Sequence, residues 1–163
     1  MSDASPKLAS YNLLFVCTGN TCRSPMAAAI ARAAIGRRGW GHVAVGSAGV
    51  AAAPGAPVSE PVGPVLAEHG IEVGAHASRE LTPELVEWAD SILVMSPAHA
   101  AAVEDMGGGG KTALVTEFLA GDAGGRPVAD PIGRSVETYR RTRDQLEQAV
   151  EAVLDRLEPI LAP

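Results

Sequence analysis

Short apolar runs alternate along this chain with longer segments whose apolar residues recur at helical spacing. The apolar runs predict four strands, at Leu13–Cys17, Val43–Ser47, Ser91–Met95 and Ala113–Thr116. Helices are predicted near Pro25–Arg38, Val58–His69, Pro83–Ala89 and Ala98–Asp105. Strands that alternate with helices are typical of a parallel sheet covered on both faces. The pattern therefore predicts an α/β fold, with a site expected beyond the carboxyl end of the first strand.

The C-terminal segment shows the clearest helical pattern of the chain. One apolar stripe is formed by Val136, Tyr139, Leu146, Val150, Val153, Leu154 and Leu157. The hydroxyl of Ser135 can cap the start of this helix by accepting a hydrogen bond from a backbone N–H of the first turn. Pro159 is expected to mark its end. We therefore predict one long amphipathic helix between Ser135 and Pro159.

Length and charge restrict the class of protein. The chain has 163 residues, the usual size of one domain. Its formal net charge of −6 argues against a general nucleic-acid binder, because such proteins neutralise phosphates with basic residues. No apolar stretch reaches transmembrane length, and the polar start lacks the basic and apolar parts of a signal peptide. We therefore expect a cytoplasmic protein with no membrane partner, and a flexible N-terminal extension over residues 1–11.

The two cysteines, Cys17 and Cys22, do not have the spacing of a metal site. The chain contains no Cys-x2-Cys pair and no His-x3-His pair, so the sequence supports neither a metal nor another cofactor. Cysteines of a reducing compartment are more often used for chemistry than for structural disulfides. The two cysteines are therefore candidates for a chemical role.

Residues 13–24 connect a predicted buried strand to a predicted helix through a short loop. Cys17 ends the strand, Gly19 lies within the loop, and Arg23 and Ser24 lead into the helix. Backbone N–H groups in such a turn converge on an anion, and the helix macrodipole adds to their attraction. Arg23 can donate two charge-assisted hydrogen bonds to phosphate oxygens, and the same positive field favours a thiolate at Cys17. A nucleophile inside an anion-binding loop indicates phosphoryl transfer through a cysteine.

The residues alone leave other roles open. A free cysteine at a strand end is often buried and inert, so Cys17 has that alternative, and Arg23 has the alternative of a solvated surface residue. Ser24 has two candidate roles, as the N-cap of the following helix and as a hydroxyl donor to the Cys17 sulfur. Asp130 also has two, because a carboxylic acid on a glycine-flanked loop can protonate a leaving group, whereas an Asp-Pro pair often starts a turn.

The loop Cys17-Thr-Gly-Asn-Thr-Cys-Arg-Ser-Pro-Met-Ala27 resembles the active-site loop of the low-molecular-weight protein phosphatases. Further segments match this family in order and spacing: Ser47-Ala-Gly49, Gly70-Ile71, His76-Ala-Ser78, Leu81-Thr82, Ala89-Asp90, Ile92-Leu-Val-Met95, Asp130-Pro131-Ile-Gly133 and Tyr139–Leu146. The resemblance covers nearly all of residues 12–157. It implies a single three-layer α/β domain with a four-stranded parallel sheet, helices on both faces and a phosphate-binding loop after the first strand.

The resemblance also implies roles for individual residues. Cys17 would be the nucleophile that forms a phosphocysteine, Arg23 would bind the phosphoryl group, Asp130 would protonate the leaving group, and Ser24 would steady the thiolate. The phosphate-binding loop and its supporting polar network would comprise Thr18, Gly19, Asn20, Thr21, Cys22, Ser47 and His76. The implied partner is a phosphorylated protein substrate, and no cofactor or metal is implied.

Other residues of interest have simpler expected roles. Asn20 is suited to a left-handed backbone conformation within the loop. Cys22 has two candidate roles, as a disulfide partner that protects Cys17 from irreversible oxidation and as a small residue that fills the loop. We expect the other histidines, His42, His69 and His99, to lie at the surface. The tryptophans Trp40 and Trp88 are expected to serve in packing and not as walls for a substrate.

Thr21 and Ile132 bear on the choice of substrate. Tyrosine-specific relatives usually carry a larger aliphatic residue in place of Thr21 and an aromatic residue after Asp-Pro. The loop sequence resembles the protein arginine phosphatase branch, in which the threonine favours a guanidinium over a phenol, although Ile132 departs from both branches. We therefore favour phosphoarginine in proteins, with phosphotyrosine as the alternative. A binder of phosphorylated ligands without catalysis is a remote alternative, because the nucleophile, the arginine and the acid are all present.

Overall fold

A computed structural model describes residues 9–162 as one domain built on a four-stranded parallel sheet. The strands are β1 (Tyr11–Cys17), β2 (Val43–Gly49), β3 (Ser91–Val94) and β4 (Thr112–Leu114), arranged in the order β2-β1-β3-β4. β1 pairs with both β2 and β3, and its register places Cys17 beside Gly49 at the carboxyl edge of the sheet. The predicted α/β class and the four parallel strands are confirmed.

The inner strand β1 is buried on both faces. Leu13, Leu14, Phe15 and Val16 have no exposed surface. Leu13 and Phe15 belong to the core on one face of the sheet, and Leu14 and Val16 belong to the core on the other. A strand covered on both sides takes apolar residues at every position, which accounts for the continuous apolar run in the sequence.

Five α-helices cover the sheet within residues 9–162, namely α1 (Arg23–Arg38), α2 (Val62–Ala67), α3 (Pro83–Trp88), α4 (Pro97–Asp105) and α5 (Val136–Leu161). Buried residues of α1, α2 and α5 pack on one face of the sheet, and those of α3 and α4 pack on the other. The three predicted layers are therefore confirmed. None of these helices is both long enough and apolar enough to span a membrane.

The structure makes α2 shorter than the predicted helix Val58–His69. Before the helix, the backbone N–H of Ser59 donates a hydrogen bond to the carbonyl oxygen of Thr21 at 2.9 Å, which ties this segment to the loop after β1. After the helix, Gly70 has a φ of +70°, and this left-handed conformation turns the chain away. The tie to a distant loop leaves no mark on the local apolar spacing, so the sequence pattern overestimates the helix.

The last helix, α5, begins as predicted and ends later than predicted. The hydroxyl of Ser135 accepts a hydrogen bond from the backbone N–H of Thr138, which confirms the predicted cap. The helix continues through Pro159 to Leu161, so the prediction that Pro159 marks its end is wrong. Proline removes one backbone donor but has a helical φ, and the burial of Leu161 in the core holds the final turn in place.

The first strand begins at Tyr11, within the segment expected to be a flexible extension. The backbone N–H of Tyr11 donates to His42 O at 3.1 Å, and its phenolic oxygen lies 2.6 Å from Ser91 Oγ. These contacts join Tyr11 to the sheet, which corrects the upper bound of the expected extension. Residues 1–8 of that prediction lie outside the described residues.

Candidate active site

The loop between β1 and α1 surrounds a small pocket at the carboxyl edge of the sheet. β1 brings Cys17 to this edge, and α1 begins at Arg23 on the far side of the loop. The pocket has a volume of about 130 Å³ and is lined by Cys17, Thr18, Gly19, Thr21, Cys22, Arg23, Asp130 and Ile132. The structure thus brings the three predicted catalytic residues to one pocket, although Asp130 is distant from the other two in the sequence.

Asn20 gives the loop its shape. Its φ of 57° is the one positive φ of a non-glycine residue within the described part of the chain, and asparagine tolerates this region better than most residues. The side-chain amide of this buried residue donates to Ser24 Oγ at 2.8 Å and to Ser47 Oγ at 2.9 Å. Its side-chain oxygen accepts from the backbone N–H of Arg79 at 3.0 Å. Helix α1, strand β2 and the segment around Arg79 therefore hold one side chain and fix the bend of the loop.

His76 supports the same bend from outside the loop. Its Nε2 lies 2.7 Å from the carbonyl oxygen of Asn20, and because a carbonyl can only accept, Nε2 carries the proton. Asn20, Ser47 and His76 thus form a connected polar group around the loop. Their positions agree with the network that the family resemblance implies.

Gly49 is a residue whose importance for the loop the sequence analysis missed. A Cβ atom at Gly49 would lie 2.4 Å from Thr18 O and 2.9 Å from the backbone nitrogen of Asn20. Glycine at the end of β2 therefore lets the loop backbone approach the strand closely. The only sequence signal was its place in the Ser47-Ala-Gly49 match, where it was one small residue among several.

Ser24 is placed to donate to the sulfur of Cys17. The Sγ of the buried Cys17 lies 2.9 Å from Ser24 Oγ. Since Ser24 Oγ accepts from Asn20, its own proton is free for Cys17 Sγ, which is closer than the carbonyl oxygen of Ala48 at 3.4 Å. A hydroxyl that donates to the sulfur stabilises a thiolate, and the start of α1 adds the positive end of its dipole.

Ser24 does not cap α1, which was its alternative role. The helix begins at Arg23, and the residue at its N-cap position is Cys22, whose side chain makes no capping hydrogen bond. Ser24 lies in the first helical turn with its side chain turned towards Cys17 and Asn20. The capping interpretation is therefore wrong, because the loop ends earlier than the apolar pattern indicated.

Arg23 is buried and held from two sides. Its Nη1 donates to the carbonyl oxygen of Val128 at 2.9 Å, and its Nη2 donates to Thr18 Oγ1 at 3.3 Å. Within residues 9–162, Nε of Arg23 is the buried side-chain polar atom without a hydrogen-bond partner. An unpaired buried donor on a guanidinium that lines a pocket is a group that a bound anion would satisfy. The surface-arginine interpretation is excluded by this burial.

Asp130 lies at the opening of the pocket with its side chain 42% exposed. Its Oδ2 lies 3.6 Å from Arg23 Nη2, and its Oδ1 accepts from the backbone N–H of Ile132 at 3.1 Å. The hydrogen bond from Ile132 to Asp130 closes the turn that the Asp-Pro pair predicted. Turn formation and acid catalysis are thus compatible, because the turn leaves one carboxylate oxygen directed towards Arg23.

Cys22 lies at the end of the loop, and its side chain contacts residues from other parts of the domain. Its Sγ is 2.9 Å from Ser59 Oγ and 3.5 Å from the hydroxyl of Tyr139. Burial and the neighbouring Cys22 raise the pKa of Tyr139 to about 12. Both Cys17 and Cys22 are free thiols here. Ser59 and Tyr139 are further supporting residues that local sequence patterns could not connect to the loop.

His99 does not lie at the surface, and that prediction is wrong. The residue is 3% exposed, with Nε2 2.9 Å from Thr18 Oγ1 and Nδ1 3.1 Å from Ser96 Oγ. Burial and the nearby Arg23 lower its pKa to about 4, against the opposing effect of Asp130. A single histidine in a helical segment carries no local signal of such a contact, since the loop it touches lies elsewhere in the sequence.

The other residues predicted to lie away from the substrate are outside the lining of the pocket. His69 is exposed and His42 is half-buried. Trp40 is buried in the core, whereas Trp88 is 37% exposed and packs only in part. Neither tryptophan provides a wall for a substrate at this pocket.

One group of possible metal ligands exists within the described part of the chain. His69, Asp144 and Glu147 bring their ligand atoms within 4.8 Å of one another. Arg143 pairs with Asp144 at 2.9 Å and lies 3.7 Å from Glu147. A guanidinium this close repels a cation and supplies the carboxylates with a partner. The group is therefore explained as a surface ion-pair network.

Comparison with known proteins agrees with this geometry. Residues 12–160 match the family model described as low molecular weight phosphotyrosine protein phosphatase. The chain therefore belongs to this family of cysteine-dependent protein phosphatases, as the loop resemblance implied. Relatives named as arginine and as tyrosine phosphatases, and one solved structure, show which members of the family this chain resembles.

A protein-arginine-phosphatase of Geobacillus stearothermophilus is 40% identical over 150 residues, which cover 91% of this chain and 97% of the relative. A probable low molecular weight protein-tyrosine-phosphatase, EpsP of Ralstonia nicotianae, is 33% identical over 91% of this chain and 97% of the relative. A structure of YwlE arginine phosphatase, a cysteine-to-serine mutant with a phosphorylated active-site serine, has a TM-score of 0.83 and 36% identity. The match covers 90% of this chain and 95% of the chain in the solved structure.

Proposed function

We propose that this protein phosphatase removes the phosphoryl group from phosphoarginine side chains of proteins. The observation that supports this proposal most strongly is the lining of the pocket. Thr21 and Asp130 line the same small pocket as Cys17, and the eight described lining residues of this pocket include no aromatic side chain. A phenol would lack a stacking partner there, whereas a guanidinium can donate hydrogen bonds to the hydroxyl oxygen of Thr21 and to a carboxyl oxygen of Asp130. The identity to a named protein-arginine-phosphatase supports the same choice.

The first chemical step transfers the phosphoryl group to Cys17. The thiolate attacks phosphorus, a sulfur–phosphorus bond forms, and the phosphorus–nitrogen bond to the arginine breaks. Asp130, as the carboxylic acid, gives its proton to the departing guanidine nitrogen. The phosphorylated active-site serine of the YwlE mutant supports a covalent intermediate at this position.

The second step restores the enzyme. Water attacks the phosphocysteine, the sulfur–phosphorus bond breaks, and the Asp130 carboxylate accepts a proton from the water. Inorganic phosphate leaves, and Cys17 is again a thiolate that the hydroxyl of Ser24 stabilises. The roles of nucleophile and of proton donor and acceptor in both steps are thus assigned to two side chains that line the pocket.

Stabilisation of the moving charge comes from the loop. The backbone N–H groups of residues 18–23 and the guanidinium of Arg23 would contact the three equatorial phosphoryl oxygens. The buried, unpartnered Nε of Arg23 supports this role. The polar network of Asn20, Ser47 and His76 keeps the loop in shape before the substrate arrives, so little reorganisation accompanies the reaction.

Phosphotyrosine is the second candidate substrate. Ile132 is 57% exposed at the opening of the pocket and offers apolar surface against which a phenyl ring can pack. Relatives named as tyrosine phosphatases share the fold and a third of the sequence.

We place the enzyme in the cytoplasm, acting on proteins and not on nucleic acid. The two free thiols and the negative net charge support this setting.

A direct comparison of substrates tests the proposal. Turnover of a protein phosphorylated on arginine would be measured beside the same protein phosphorylated on tyrosine, with Cys17→Ser as the control for the nucleophile. We expect a higher kcat/KM on phosphoarginine, no turnover by Cys17→Ser, and retained binding of orthovanadate by that variant. A higher kcat/KM on phosphotyrosine would transfer the assignment to the second candidate.

A further inference from the structure

His99 connects α4 to the first residue of the phosphate-binding loop. It is 3% exposed, and its Nε2 lies 2.9 Å from the hydroxyl oxygen of Thr18. The same hydroxyl accepts a hydrogen bond from Arg23 Nη2 at 3.3 Å. On the other side of the ring, Nδ1 lies 3.1 Å from Ser96 Oγ, at the start of α4. One buried imidazole therefore links α4, which packs on the opposite face of the sheet from α1, to the guanidinium of Arg23 in the pocket.

The donors and acceptors of this chain of contacts have a definite direction. A guanidinium can only donate, so Arg23 donates to Thr18 Oγ1 and the proton of that hydroxyl is free for another acceptor. The unprotonated Nε2 of a neutral His99 is that acceptor. The neutral ring then carries its proton on Nδ1, which donates to Ser96 Oγ. The order is Arg23 to Thr18, Thr18 to His99, and His99 to Ser96.

We propose that His99 is a positioning residue for the phosphatase reaction, which orients the Thr18 hydroxyl and, through it, holds the Arg23 guanidinium where it meets the phosphoryl group. The inference rests on the proposed function. It adds a residue on α4 to a site that the sequence analysis placed on the loop and on Asp130. His99 contacts no reacting atom and acts through Thr18 and Arg23.

The charge state of His99 is part of this arrangement. The charged groups that act on the ring are Arg23, which disfavours the imidazolium, and Asp130, which favours it. Burial and Arg23 prevail, so the pKa of His99 is lowered to about 4. A proton on Nε2 would require Thr18 to accept from both His99 and Arg23, which would leave its own proton without the acceptor it now has. The neutral ring therefore keeps the chain of contacts intact at neutral pH.

Four variants separate this role from simple filling of the core. His99→Leu keeps an apolar volume and removes the acceptor, whereas His99→Gln keeps a carbonyl oxygen as acceptor. Thr18→Val is close in shape to threonine without the hydroxyl, and Thr18→Ser keeps the hydroxyl. The half-buried His42, which is absent from the pocket lining, supplies the matched control His42→Leu.

Kinetics on p-nitrophenyl phosphate, whose leaving group makes little demand on Asp130, provide the first readout. A displaced binding group costs roughly 100-fold in rate, so we expect kcat/KM to fall about 10- to 100-fold in His99→Leu and in Thr18→Val. His99→Gln and Thr18→Ser should recover most of the loss, and His42→Leu should match the wild type. The double variant His99→Leu/Thr18→Val should be no slower than the slower single variant, because both remove one shared interaction.

The tautomer of His99 provides a second readout that does not depend on activity or on folding of a variant. Nitrogen-15 spectra of the wild type at pH 7 should show a neutral His99 ring protonated on Nδ1. Protonation on Nε2 would overturn the inference, as would multiplicative losses in the double variant or unchanged kinetics in His99→Leu. Wild-type protein inactive on both phosphoarginine and aryl phosphate would instead contradict the proposed function, and the tautomer would still be measured.

Discussion

The sulfur of Cys17 and the hydroxyl oxygen of Ser24 lie 2.9 Å apart, one at the end of β1 and the other in the first turn of α1. The contact exists because Asn20 bends the loop between them and occupies the acceptor position of Ser24. The proton of Ser24 is thereby directed at the sulfur. The proposed nucleophile and the hydroxyl proposed to stabilise its charge are thus brought together by the bend of the loop.

Ser24→Ala should slow the reaction without removing the nucleophile. A hydrogen bond to a charged group contributes about 1.5–3 kcal/mol, so we expect kcat to fall by roughly 10- to 100-fold. The alkylation of Cys17 by iodoacetamide at pH 6 should slow in parallel, because less thiolate is present. Alkylation can be followed by mass spectrometry, with Ser59→Ala, next to Cys22, as the control. Unchanged alkylation of Cys17 in Ser24→Ala would show that the hydroxyl has no effect on the thiolate.

Asp130→Asn should reduce turnover most for substrates with poor leaving groups. A positioned general acid contributes about 10²–10⁴-fold, and a group that departs readily without a proton needs it less. The measurement is kcat across a series of aryl phosphates of rising leaving-group pKa, beside the exposed loop variant Asp122→Asn. An equal loss for all members of the series would restrict Asp130 to its turn with Ile132.

Mild peroxide should inactivate the enzyme reversibly if Cys22 captures oxidised Cys17 as a disulfide. Cys22 would have to leave Ser59 and Tyr139 to do so, and a thiol reductant should then restore activity. In Cys22→Ser, the same treatment should cause a loss that the reductant does not reverse. Mass spectrometry of the oxidised wild type tests the linkage directly, and its absence would leave Cys22 with the loop-filling role alone.

Thr21→Ile should shift the preference from phosphoarginine towards phosphotyrosine. Isoleucine adds apolar bulk that can pack against a phenyl ring and removes a hydroxyl that can meet a guanidinium. A pocket change of this size alters relative kcat/KM by about 10- to 200-fold. Thr21→Val, which removes the hydroxyl and adds little bulk, separates the two effects. A ratio of the two efficiencies that stays constant in both variants would show that Thr21 does not select the substrate.

The stability of the wild type should fall more steeply below pH 7 than that of His99→Gln. The pKa of His99 is lowered from 6.5 to about 4 in the folded protein, so between these values the unfolded chain binds a proton that the folded protein does not. The contribution to stability is complete above pH 6.5 and is lost as the pH falls towards 4. The difference amounts to about 2 kcal/mol between pH 7 and pH 5. Urea unfolding of both proteins at the two pH values measures the free energy of unfolding. An equal loss of stability in both proteins between pH 7 and pH 5 would contradict the lowered pKa.

Much of the fold could be predicted because the relevant signals are local. The apolar run of β1 is continuous since both faces of that strand are buried, and each observed strand boundary lies within two residues of the prediction. The ends of α2 and α5 could not be predicted in this way. The first depends on the tie between Ser59 and Thr21, and the second on the burial of Leu161 beyond Pro159.

The sequence by itself determined the chemistry of the loop. The proposed nucleophile, the glycine and the arginine lie within seven consecutive residues, between a strand and the N-terminus of a helix, which favours an anion. Only the tertiary structure decided which distant groups complete the site. Asp130 reaches the pocket by a separate loop, Gly49 admits the loop backbone beside β2, and His99 contacts Thr18 from α4. These contacts join residues far apart in the chain, and their energies depend on burial and on hydrogen-bond partners that exist only when the chain is folded.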